Sequence, residues 1–131
     1  MAIFHGIQVY EILENGNLLN GIYTNMGLVD TKNTSYDIDS EIARKKKGNN
    51  SNGVEGIYDC RYIESYDNSI TNCDLVISKH LSIYNSKNNG IYLFTWNKLD
   101  EPNKILWTGI GLMSGTTHIS VSYIKPQNLQ T

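Results

Sequence analysis

The chain has 131 residues, 40% of them apolar and 18% charged, with a formal net charge of −2, which is the size and make-up of one globular domain over residues 1–131. No run approaches the roughly 18 apolar residues of a membrane-crossing helix, and the one basic run, Arg44-Lys45-Lys46-Lys47, is too short against an acidic background for a nucleic-acid footprint. The opening Met-Ala-Ile-Phe-His-Gly has neither the basic nor the apolar region of a signal peptide, so the expectation is a soluble cytoplasmic protein, or a secreted or periplasmic one if a leader is removed ahead of Met1.

Taken in chain order, short runs of β-branched and aromatic residues predict strands at residues 7–13, 18–25, 56–64, 72–78, 90–97, 104–113 and 117–124. The first two join through Asn15-Gly16, a strong hairpin signal. The last two join through Ser114-Gly115. Gly-Ile-Tyr opens at Gly21, Gly56 and Gly90, and Thr108-Gly109-Ile110-Gly111 follows Trp107. Between Asp30 and Lys47 two readings compete. Ile38 and Ile42 lie four apart, with Asp39 as a cap and Gly48 as a stop, which suits a short helix. Tyr36, Ile38, Ser40 and Ile42 equally fit the period of two of an eighth strand.

Alternation sorts the faces. Tyr58, Cys60, Tyr62 and Glu64 share one side, as do Tyr92, Phe94 and Trp96, and as do Ile119, Val121 and Tyr123 with Ser120 and Ser122 opposite. The strands beginning at 90 and 104 are apolar on both faces, so they are central or covered by a partner surface. Seven or more antiparallel strands with short turns must hide their edges. The predicted fold is therefore all-β, an up-and-down antiparallel β-barrel of about eight strands with at most one short helix, the alternative being a β-sandwich.

Chemistry is sparse in this pattern. Cys60 and Cys73 flank a turn at residues 65–68, a spacing that sets them opposite each other across a hairpin; a disulfide is geometrically open, with reduced buried thiols the default in a cytoplasmic chain. His5, His80 and His118 lie far apart, and zinc spacings are absent. No Gly-x-Ser-x-Gly elbow or phosphate-cradling glycine loop occurs, and no metal or cofactor is implied. Gly109 and Gly111 within a strand pattern mark a bulge or a close-packed bend. The enrichment left to weigh is aromatic. Tyr58, Tyr62, Tyr92, Phe94, Trp96 and Tyr123, with Glu64 in phase, are the candidate ligand-binding residues, and a filled hydrophobic core is the competing reading.

The run from Gly56 to Tyr123 resembles, in strand order and aromatic density, the calycin-like small barrels of lipocalin and avidin type. The resemblance covers about half the chain and no diagnostic motif. Gly6-Ile7-Gln8 stands where lipocalins carry Gly-x-Trp, and the last strand reads Val121-Ser122-Tyr123 where intracellular fatty-acid-binding proteins end in Arg-x-Tyr, so no binding residue is carried over. The layout is also similar to uncharacterised bacterial proteins with a Gly-x-Tyr strand followed by a Trp strand and a Gly-Ile-Gly-Leu strand. Three functions follow from the residues. The first is a noncatalytic barrel binding a small apolar or aromatic ligand. The second is a structural or interaction module, such as a homodimer, with an exposed patch around Ile91, Leu93 and residues 104–113. The third, an enzyme using Glu64 or a tyrosine as acid or base, is the weakest, since no base–nucleophile pair can be named.

Overall fold

A computed structural model describes residues 5–26, 38–49, 53–64, 67–80 and 90–126. Eight strands form one closed antiparallel barrel in simple up-and-down order. They are β1 (His5–Leu13), β2 (Leu18–Asn25), β3 (Asp39–Lys45), β4 (Gly56–Glu64), β5 (Ser69–Lys79), β6 (Ile91–Lys98), β7 (Glu101–Ser114) and β8 (His118–Ile124). β8 returns to pair with β1, from His5 opposite Ile124 to Glu11 opposite His118, which leaves no open edge. The barrel therefore decides against the sandwich. Residues 39–45, left open between helix and strand, are β3. The upstream part of that stretch, including Tyr36, lies outside the described residues. No helix among the described residues is long and apolar enough to cross a membrane.

The wall forms because apolar and small residues alternate with polar ones along most strands, so one face of each turns inward. Tyr10, Leu19, Ala43, Tyr58, Leu75, Phe94 and Ile119 are completely buried. The buried side chains form one packed cluster with an aromatic stack in it. Tyr10 and Phe94 lie parallel with ring centroids 6.0 Å apart, and Phe94 stacks on Trp96 at 5.7 Å. The end carrying the β1–β2 turn is plugged by Val54 and Tyr58, whose hydroxyl lies 2.7 Å from the Gly16 carbonyl and 2.8 Å from that of Val54.

Glycines on the inner face make room for these rings. A Cβ on Gly111 would stand 2.7 Å from the Phe94 ring, so Gly109-Ile110-Gly111 is a close-packed stretch of wall with Ile110 turned outward. Two register shifts interrupt the β6–β7 ladder: Trp96 pairs with Trp107, but Asn97 pairs with Ile105 and Lys98 with Glu101. The extra residues kink β7 at the end opposite the plug, where the barrel is open.

Candidate functional site

The open end is where β1 begins and β2, β4, β6 and β8 finish. Here β3 does something that its apolar pattern conceals. Ile38 and Ile42 face outward, 64% and 45% exposed, while Asp39, Glu41 and Ala43 face in. Reading by hydrophobicity alone would turn this strand the other way. Its register against both neighbours, with Gly21 opposite Glu41 and Glu41 opposite Tyr62, fixes the carboxylate inside the wall.

Glu41 is 5% exposed and lies among donors from three other strands. The Tyr10 hydroxyl, the Trp96 indole Nε1–H at 3.1 Å and the Cys60 thiol at 3.2 Å all donate to its Oε2. An indole nitrogen can only donate, so this oxygen is an acceptor in either protonation state. Gln8, 3% exposed, lies alongside. Its Nε2 makes no hydrogen bond of ordinary geometry among the described residues, though its dipole still favours the charged carboxylate. Burial raises the Glu41 pKa above the usual carboxylate range, and the donor groups of Tyr10, Gln8, Trp96 and Cys60 oppose the rise. Burial foremost, and then the Glu41 charge, push the Tyr10 hydroxyl well up in turn.

Above Glu41 the barrel widens into a cavity lined by Gln8, Glu41, Glu64 and Asn25 and by five aromatic rings, Tyr23, Tyr62, Trp96, Trp107 and Tyr123. Trp107 meets Tyr123 edge-on at 5.2 Å, and Tyr123 leans on Trp96 at 5.9 Å, so the mouth continues the aromatic stack of the core. The rings are held from behind. Tyr23 donates to the Ile63 carbonyl at 2.8 Å, and Tyr123 donates to that of Thr24 at 3.2 Å while accepting from Asn25 at 3.3 Å. Gly6 is what lets Tyr123 lie there: a Cβ on it would be 2.6 Å from the phenol. Burial pushes Tyr62 up to about 12, while bonds to Trp107 and Thr71 hold it down.

The cavity is small, about 30 Å³. One water needs roughly 10–15 Å³ by the same measure, so the space accepts about two waters or a group of two heavy atoms. Pockets that take a whole drug-sized ligand are about 300–1,000 Å³.

Of the residues singled out from sequence, Tyr62, Glu64, Trp96 and Tyr123 line this cavity, whereas Tyr58, Tyr92 and Phe94 pack in the interior away from it. Sequence reading missed Glu41, Gln8, Tyr23, Asn25 and Trp107 as lining residues. Trp107 was visible as an aromatic strand residue, but the bulge that brings it beside Trp96 was not. Cys60 and Cys73 stand directly opposite each other, as the hairpin spacing predicts, and both are free thiols. Cys60 is also a nucleophile beside a carboxylate, a pairing not legible from sequence. Burial and the neighbouring Cys73 raise its pKa, and it is 3% exposed, so it is held as an inert thiol. Among the described residues no group of His, Cys, Asp and Glu could hold a metal ion.

The sequence matches no protein-family model, no curated protein and no solved structure.

Proposed function

We propose that this protein is a noncatalytic binding barrel that takes a compact guest group at its aromatic mouth. What supports this most is the contrast between the two ends of one stack. The plugged end is packed shut, while the other gathers five rings, two carboxylates and two amides around unfilled space. The volume limits insertion to a head group, with the rest of the ligand lying over the rim. A lipid or a whole aromatic ring inside the barrel would require the core to move.

The chain has two tryptophans, and both line the cavity. Their indole N–H resonances therefore report directly on occupancy. Titration with a fragment set should move both signals together while the amide of His118, at the far end of β8, stays fixed. Binding that leaves both indoles unmoved, or no binding at all, overturns the reading.

A second reading, an interaction module that pairs with another copy of itself, is favoured by the outer wall. Leu93 is opposite Ile110, Ile110 opposite Ser122, and Ser122 opposite Ile7. The next row runs from Ile91 through Leu112, Ser120 and Val9 to Ile22. Both rows cross five strands or nearly so without a charge, and Ile7, Ile22, Ile110 and Leu112 are each more than half exposed.

A further inference from the structure

Acceptors and π-faces dominate what the mouth offers its guest. The Tyr10, Trp96 and Cys60 protons all point at one oxygen of Glu41, Oε2. The Tyr23 and Tyr123 protons are taken by backbone carbonyls, so neither is offered to a guest. Trp107 is hydrogen-bonded to Tyr62. Two carboxylates, Glu41 and Glu64, line the space, and among the described residues no Lys, Arg or His does. Gln8 adds a buried side-chain amide to the lining, next to Glu41. On the rim, the Lys125 ammonium already stands 5.3 Å over the Trp107 ring, so this indole face attracts cations.

We infer that the group the mouth receives is the ammonium of a primary amine, with Glu41 as its counter-charge. An ammonium has three donors and no acceptor, the complement of what the lining presents. A methylene and its ammonium are two heavy atoms, which is what the cavity holds. A quaternary ammonium, with five heavy atoms at its head, is too large. This inference rests on the mouth being a binding site, and it names the class of ligand.

The test uses the full chain and follows tryptophan fluorescence against n-butylammonium, n-butanol, n-butyrate and butyltrimethylammonium. Saturable binding of n-butylammonium alone is expected, with Glu41→Gln weakening it about tenfold or more, as loss of a charged hydrogen bond does. Glu64→Gln, nearer the rim, keeps the test informative if the first variant fails to fold, and should weaken binding less. Affinity should also rise with pH as Glu41 ionises, and Glu41→Gln should flatten that profile. The groups around Glu41 are Tyr10 from β1, Tyr23 from β2, Asp39 from its own strand, Cys60 and Glu64 from β4, Cys73 from β5 and Tyr123 from β8. If n-butanol binds as well as n-butylammonium, or butyltrimethylammonium binds better, the ammonium inference falls while mouth binding stands. If none of the four binds at the tryptophans, both fall.

Discussion

Glu41 concentrates the chemistry of this molecule because a buried carboxylate is tolerable only when several donors meet it. Replacing it with leucine leaves the Tyr10 hydroxyl and the Trp96 indole without their acceptor. Each orphaned donor costs about 1–3 kcal/mol, so Glu41→Leu should lower stability by about 2–6 kcal/mol in urea denaturation. Glu41→Gln keeps one acceptor oxygen and should cost far less. The pH dependence has a definite sign. Burial raises the Glu41 pKa in the folded chain, so the folded protein keeps a proton that the unfolded chain has released. The stability this contributes is complete below the ordinary glutamate value of about 4.3, and it declines as pH rises through the raised folded value. Wild type should therefore lose stability across that window, and Glu41→Gln should not. Equal slopes in the two proteins would show that Glu41 is not desolvated.

At the level of the strand, the hairpin β4–β5 shows how far sequence reasoning reached. Turn residues and alternation predicted which residues of β4 face inward, and the four-residue spacing from 65 to 68 set Cys60 opposite Cys73. Buried as they are, the two thiols should resist alkylation in native buffer and react fully in denaturant, counted by mass spectrometry. Rapid native labelling of either would mean that β4 is turned or loosened. The predicted bounds fell short where strands end in polar residues: 72–78 against Ser69–Lys79, and 104–113 against Glu101–Ser114. Pairing, not composition, carries those ends into the barrel. β3 was the ambiguous element for a clearer reason. Its isoleucines are on the solvent side and its acids inside, so the usual hydrophobic signal has the wrong phase. The signal that could have been read is the phase of Asp39 and Glu41 with Ala43, together with an excess of Tyr and Trp donors needing an acceptor somewhere.

Across the whole molecule, the two halves of the wall differ in charge. On β3 to β5, Lys46 bridges Asp74 at 2.8 Å and Asp59 at 3.9 Å, and Arg44 reaches Glu14 at 3.8 Å. Of the basic run, Lys46 is thus paired by β4 and β5, and Arg44 by the β1–β2 turn. The β6–β7–β8–β1–β2 side has a belt of Ile, Leu, Val, Ser and Thr instead. A second copy is the partner such a belt suits, because a two-fold axis lays apolar rows on apolar rows with no charge to satisfy. Sedimentation velocity should show a concentration-dependent dimer that Leu112→Lys and Ile7→Lys each convert to monomer with stability nearly unchanged. A wild-type monomer at high concentration would remove the pairing.

The closed barrel itself was legible because its strands alternate and its turns are short. The open mouth was not, since it depends on a bulge, on one inverted strand and on small residues such as Gly6 that matter only through what lies across from them. All of these meet at a single carboxyl group. A pH titration of the Glu41 side-chain carboxyl by carbon-13 NMR tests that arrangement most directly. A midpoint displaced above the ordinary glutamate value of about 4.3, with the Trp96 indole proton shifting in step, is what the packed, donor-ringed Glu41 requires. A midpoint at that ordinary value and a Trp96 signal indifferent to it would mean that β3 does not turn its acids inward.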